Sequence, residues 1–262
     1  MRSLTEELLQ RLVNRKSAAG FAESFGFKPD LWQKDVLDTG ARNIIVNCSR
    51  QVGKSTVVSI KAAHAAKYND NALILITSPS ERQSQELLIK VKRVLADTGT
   101  GIRKDSMTMV ELENGTRVFA LPGNEETIRG FSGPILLIID EAAMVEDELY
   151  YAVEPMLAVS QGQTILLSTP RGKRGFFYSK WQSPEWERYT IKATECARIP
   201  AEWLEEKRKS MPEFWFRQEY MCEVLDAEDS AFETAYLELA KREYDPLFEV
   251  PKKAADYEPL EV

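Results

Sequence analysis

Asn43-Ile44-Ile45-Val46-Asn47, then Cys48-Ser49-Arg50-Gln51-Val52-Gly53-Lys54-Ser55-Thr56, then Val57 to Lys67, is the stretch that decides the fold. The first five residues read as a buried strand, the next nine as a loop, and the last run as a helix. A strand, a loop closing on Gly-Lys-Ser and a helix is the layout of a phosphate-binding loop (P-loop). Its backbone N–H groups point inward around an anion. The lysine reaches the β and γ oxygens, and the serine hydroxyl holds Mg²⁺. Ser49, Arg50, Gln51, Val52, Gly53, Lys54, Ser55 and Thr56 are therefore candidate ATP-binding residues, with Ser55 also a candidate metal ligand. One position departs from the usual pattern: the glycine expected five residues before Gly53 is Cys48.

Three more stretches read as buried strands: Ala72 to Thr77, Ile135 to Ile139 and Thr164 to Leu167. Asp140 and Glu141 follow the second of them, at the strand end where open α/β sheets bind ligands. Asp140 would hold the Mg²⁺ shell, and Glu141 would orient or deprotonate an attacking water. Ser168 and Thr169 close the third, placed to sense a γ-phosphate. Arg171-Gly172-Lys173-Arg174-Gly175 comes next. Its three cations suit a DNA phosphate backbone, or equally a solvated turn. Residues 81–96 read as a helix, Met107 to Leu121 as a hairpin turning at Asn114-Gly115, and Arg188 to Ala193 as a last strand. Residues 122–134 read as a glycine-rich loop around Arg129.

Upstream, Gln33, after Leu31-Trp32, opens a helix ending near Thr39-Gly40. An aromatic followed by glutamine suits adenine, with the amide pairing a donor and an acceptor on the base edge. Trp32 as a core residue and Gln33 as a helix start is the competing reading. Ser3 to Lys16 reads as an amphipathic helix with a Ser3–Glu6 capping box. Beyond Pro200, Ala201–Ser210 and Pro212–Leu225 read as helices, and a further one is expected from Ser230 to Tyr244.

Composition narrows the function classes. At 44% apolar residues the chain can build a core. Three cysteines without ligand spacing and a single histidine, His64, argue against zinc and Ser-His-Asp chemistry. No apolar run approaches membrane-spanning length and no signal-peptide segment opens the chain, so a soluble cytoplasmic protein without membrane contact is expected. Residues 201–262 carry 17 acids and 8 bases, whereas residues 1–200 carry 24 and 26. The overall charge of −7 disfavours coating nucleic acid by bulk electrostatics and leaves room for a local basic groove.

Together these motifs resemble the large terminase subunits of tailed bacteriophages, the DNA-packaging motors. Ser49-Arg50-Gln51-Val52-Gly53-Lys54-Ser55 is similar to that family's loop, which lacks the first glycine and carries an arginine. Leu31-Trp32-Gln33 resembles its adenine motif, and Asp140-Glu141-Ala142-Ala143 its Walker B. Leu167-Ser168-Thr169-Pro170 resembles its coupling motif, and Phe216 to Glu223 the segment closing its ATPase region.

The resemblance implies an α/β, RecA-like ASCE P-loop ATPase: a mostly parallel sheet flanked by helices, with a small helical C-terminal lid or linker. It implies a core over 1–195, a lid or linker over 196–262, and a coupling strand between the P-loop and Walker B strands. It also implies a ring, of five subunits in the family, that grips duplex DNA at the portal with the small terminase subunit as partner; an isolated domain could be monomeric. Arg129 matches a finger offered to the neighbouring subunit's ATP, and Arg50 is the rival acting in its own site. The family continues into a nuclease domain. Only about 36 residues follow Asp226 here, so ATPase chemistry without DNA cleavage is expected. A superfamily-2-type helicase or translocase and a regulatory nucleotide switch are the alternatives. The first needs a second RecA-like domain. Glu141 beside Asp140 argues for water as the nucleophile rather than a substrate hydroxyl.

Overall fold

A computed structural model describes residues 4–122 and 130–225. The helix expected from Ser230 to Tyr244, Arg129 and the Ser3 cap lie outside the described residues. The described residues belong to one compact unit within 1–225.

The chain runs α1 (Leu4–Lys16), α2 (Ala18–Ser24), α3 (Leu31–Asp38), β1 (Asn43–Cys48), α4 (Lys54–Tyr68), β2 (Leu73–Thr77), α5 (Glu81–Asp97), β3 (Ile102–Asp105), β4 (Met109–Leu112) and β5 (Arg117–Leu121). It continues through β6 (Leu136–Asp140), α6 (Asp147–Val153), α7 (Leu157–Ser160), β7 (Gln163–Ser168), α8 (Gly175–Gln182), β8 (Glu187–Ile191), α9 (Ala201–Ser210) and α10 (Glu213–Met221). The sheet order is β3-β4-β5-β2-β6-β7-β1-β8. From β5 to β8 every neighbouring pair is parallel, while β3-β4-β5 is antiparallel. β7, the expected coupling strand, lies between β1 and β6.

The aliphatic runs form central strands because both sheet faces are covered, so every residue gains from being apolar. Period-two alternation divides them. Ile44, Val46, Ile74, Ile76, Ile138 and Ile165 face a core built with α2 to α5. Ile45, Leu75, Leu137, Ile139 and Leu166 face the opposite core, with Leu149 of α6 and Phe176 of α8. Each buried aliphatic side chain contributes about 1.5–3 kcal/mol.

Some elements differ from the sequence reading. The helix after the loop begins at Lys54 rather than Val57, because Gly53 caps it in the left-handed region (φ 94°) and the Lys-Ser-Thr residues already form its first turn. The final helix stops at Met221, since Cys222 turns left-handed at φ 58°. α2, α6 and α8 are unanticipated. The start of α8 is held by a distant group, Asp147 Oδ1, which accepts from the Phe176 N–H at 2.7 Å. The apolar stripe of α1 is not packed: Leu8 and Leu12 are 53% and 57% exposed.

Two polar side chains set the position of helices near the loop. Lys61 of α4 is buried, and its ammonium donates to the carbonyls of Val36 (2.8 Å), Leu37 (3.0 Å) and Thr39 (3.3 Å), closing the C-terminal end of α3. Asn114, in the hairpin turn, donates to Ala66 O at 2.9 Å and does the same for α4. Where β7 begins, Gly162 meets the backbone before β6. A Cβ there would sit 2.1 Å from Pro134 O and 2.9 Å from Ile135 C. Gly162→Ala should therefore destabilise the fold by about 1–3 kcal/mol and lower the Tm by several degrees in a calorimetric scan. An unchanged Tm would show that the β6–β7 approach is looser than described.

Candidate nucleotide site

The site gathers at the C-terminal ends of β1, β6 and β7. The loop after β1 is a tight turn: Gln51 and Gly53 have φ of 64° and 94°. Only glycine takes the second without steric cost, and a Cβ there would lie 3.1 Å from Gln33 Nε2. Lys54 and Ser55 then occupy the first turn of α4, where free N–H groups favour anions.

From β6 come the two carboxylates. Glu141 is in the left-handed region (φ 52°), a conformation that costs a non-glycine residue roughly 1–3 kcal/mol. Its Oε1 meets Lys54 Nζ at 2.5 Å. Ser55 Oγ donates to Asp140 Oδ2 at 3.3 Å, and the Glu141 N–H donates to Asp140 Oδ1 at 3.0 Å. Burial raises the Asp140 pKa above the usual carboxylate value, and Lys54 opposes that shift. Burial also works against the Lys54 charge, but Cys48, Glu141 and Asp140 together outweigh it and its pKa lies above the ordinary lysine value.

These groups fit Mg²⁺. Ser55 Oγ and Asp140 form a hard oxygen pair beside the anion cradle, which suits a cation that binds through one or two protein oxygens and substrate phosphates. A divalent ion there would stabilise the charged form of Asp140.

β7 is joined to this turn. Ser168 is fully buried, and its Oγ accepts from the Ala143 N–H at 3.2 Å; Thr169 is also buried. Register sets Ser168 beside Asn47 of β1. Gln33 is buried, with Oε1 accepting from the Asp30 N–H at 2.9 Å, so it closes the α3 cap while its amide nitrogen faces Gly53. Trp32 is half-buried against the core. Arg171, Lys173 and Arg174 are exposed on the loop between β7 and α8.

Three contacts at the loop were not foreseen: two reach residues 216–223, a segment marked in the sequence but without this role, and one comes from Arg198, which carried no signal. Glu219 of α10 holds Arg50 Nε at 2.5 Å. Arg198 Nη2 donates to Val52 O at 2.8 Å. Asn47 Nδ2 donates to Cys222 O at 2.8 Å, and Cys222 Sγ lies 3.1 Å from Ile191 O. The Arg50–Glu219, Arg198–Val52 and Asn47–Cys222 contacts each join residues more than 140 positions apart, which local spacing does not reveal.

A parallel sheet with a phosphate loop on β1, carboxylates on β6 and a strand inserted between them defines the RecA-like ASCE class of P-loop folds. A family model described as the N-terminal part of the T4likevirus-type terminase large subunit matches residues 45–239, and the chain belongs to that family. The large terminase subunit of Thermus phage G20c is 25% identical over 252 residues, covering 81% of this chain and 52% of that protein. This chain thus spans about half the length of the curated relatives it matches. The large terminase ATPase domain of Thermus phage P74-26 superposes with a TM-score of 0.68 at 22% identity, over 78% of this chain and 97% of that one. The large terminase of the thermophilic bacteriophage D6E, solved with ADP, gives a TM-score of 0.60 at 12% identity, over 82% of this chain and 52% of that one.

The cysteines around the loop should be inert. All three are buried and free. Burial pushes the Cys222 thiol up to about 12 and raises Cys48 further, so neither offers thiolate near neutral pH. A thiol-titrating reagent should label them only as fast as the fold opens. Rapid labelling of Cys48 under native conditions would contradict the packing beneath the loop.

Proposed function

We propose that this chain is the ATP-hydrolysing part of a viral DNA-packaging motor, coupling phosphate release to movement of duplex DNA. The observation that carries the reading is the meeting of Lys54 and Ser55 with Asp140 and Glu141 across the β1 and β6 ends. Membership of the terminase family favours packaging over the helicase and switch readings, and the nucleotide bound by the D6E protein supports ATP as substrate.

In this reading residues 1–195 are the core and the helices after it a lid or linker. Ser49 to Thr56 surround the phosphates, Gln33 and Trp32 read the adenine, and Ser55 and Asp140 hold Mg²⁺. The metal supplies charge neutralisation at the phosphate oxygens. Lys54, now on Glu141, exchanges that carboxylate for phosphate oxygens when ATP enters. The freed Glu141 carboxylate accepts a proton from the attacking water as its oxygen bonds to the γ-phosphorus and ADP leaves. Arg50 leaves Glu219 to act as sensor or stabiliser. Arg129 serves as a finger for the neighbouring subunit of a ring. Ser168 and Thr169 report the state of the γ-phosphate to the Arg171-Lys173-Arg174 loop, which contacts the DNA backbone. Portal protein and small terminase subunit are the proposed partners, and host cytoplasm the proposed location. No described helix is long and apolar enough to cross a membrane.

Glu141→Gln should preserve ATP binding and lower turnover by about 10²–10⁴-fold in a phosphate-release assay; unchanged turnover sinks the base assignment. Mixing Arg129→Ala protein with excess Glu141→Gln protein should restore hydrolysis, because mixed rings pair an intact site with an intact finger. No recovery at any ratio would assign the finger role to Arg50.

A further inference from the structure

At the other end of α4 from the phosphate loop, Lys67 and Tyr68 line a cavity of about 990 Å³. A helix rises about 1.5 Å per residue, which puts this cavity about 20 Å from Lys54. Its opposite side is formed by Leu8, Arg11, Leu12 and Arg15 of α1 and by Phe21 of α2. The floor is aromatic: Phe21 is buried and meets Phe25 and Tyr68 edge-on, with ring centroids 5.6 and 5.8 Å apart. The chemistry of the nucleotide site uses none of these residues.

Two properties of this region lack a counterpart. The first is charge. Arg11, Arg15 and Lys67 line the cavity against one carboxylate, Asp97. Among the described residues no carboxylate pairs with Arg11 or Arg15, and Lys67 Nζ donates to an uncharged group, Thr98 O, at 2.8 Å. Burial, and after it the Arg11 charge, lowers the Lys67 pKa below the ordinary lysine value, so these cations feel each other across the cavity. The second is apolar surface. Leu8, Leu9, Leu12 and Val13 are each more than half exposed. Residues four apart form ridges on a helix. Leu8–Leu12 and Leu9–Val13 are therefore two adjacent apolar ridges, and Arg11–Arg15 is the row beside them. α1 is tied to α4 through its backbone, with Asn14 O 2.9 Å from His64 Nε2.

We propose that α1 and this cavity form the docking groove for an acidic amphipathic helix of a partner protein. The groove between the two apolar ridges seats the partner's own apolar ridge, and the partner's carboxylates meet Arg11, Arg15 and Lys67. Charge complementarity selects this occupant, because the cations at the groove have no acid of their own to pair with and lie to one side of an apolar face. Apolar anchors at helical spacing supply the affinity, and the arginines set the orientation and speed the encounter. A nucleic-acid backbone fits less well. It would set phosphates against the leucine ridges and bring them to Asp97.

Fluorescence anisotropy of labelled model peptides titrated with the 262-residue chain tests it. The first peptide carries leucines at i, i+3, i+4 and i+7 and glutamates on its remaining face. A second has lysine in place of every glutamate, and a third has the composition of the first with its leucines dispersed. Wild type should bind the first in preference to the other two, and less tightly as salt rises. Arg11→Glu combined with Arg15→Glu should weaken that binding about tenfold or more and should gain binding of the lysine peptide. Leu8→Ser combined with Leu12→Ser should weaken it by about tenfold or more as well. All four side chains are exposed, so both variants should keep the wild-type Tm and the wild-type affinity for Mg·ATP. Absence of a preference for the acidic amphipathic peptide in wild type overturns the proposal, and so does a charge reversal that leaves both peptides bound as before. Duplex DNA that displaces the peptide as well as unlabelled peptide of equal charge does would assign the groove to nucleic acid and overturn it too. Should a variant lose its fold, the wild-type preference among the three peptides still decides.

Discussion

The ion pair between Lys54 and Glu141 is the contact on which the site depends. It spans the gap between the loop after β1 and the turn after β6, two elements that share no ladder because β7 separates them. The pair is largely shielded from water, with side-chain exposures of 12% and 28%. Removing one partner from such a pair leaves a charge uncompensated, which costs more than the pair itself contributes. The two groups thus hold each other in place across the gap. Glu141 bears an unfavourable backbone conformation to reach this position, a cost met by the buried β6 strand on one side and the Ala143–Ser168 bond on the other.

The C-terminal helices are joined to the same loop from two directions. Asn47, the residue before Cys48, holds the carbonyl at which α10 ends, and Arg50 holds Glu219 within α10. The first bond is buried and the second largely exposed, so they respond differently to a change in the loop. The Arg50 pair is easily exchanged for another anion, since exposed ion pairs contribute only about 0–1 kcal/mol. The Asn47 bond has no comparable alternative.

Much of the core was legible in the sequence because its determinants are local. The aliphatic runs before Asn47, Asp140 and Ser168 became neighbouring parallel strands, and the coupling strand took the expected place. Gly53 forms a tight turn at the end of the loop, as expected, but Lys54 and Ser55 belong to the first turn of the helix rather than to the loop in which the sequence reading placed them. Residue pairs whose partners lie far along the chain were not legible. Arg50 was recognised as unusual, but not that Glu219 would hold it. Arg198 had no motif at all, and α8 depends on Asp147 from another element. The stripe of α1 shows the converse: its spacing was periodic and its helix formed, yet Leu8 and Leu12 face outward, because periodicity reports an amphipathic face and not what covers it.

The outer strands of the sheet bear on how copies of this chain can meet. β3 exposes all four of its residues, three of them charged (Arg103, Lys104 and Asp105), and ends the sheet on one side. Arg103 and Lys104 both pair with Glu111 of β4, which keeps the charge concentrated at that margin. Charged residues at a sheet margin oppose strand addition from another molecule. β8 closes the other side with exposed Glu187 and Arg188. Neither rim is suited to extending a continuous sheet from one molecule to the next. Any contact between copies made by the described residues would then run through loops and helices rather than through a shared ladder of backbone bonds.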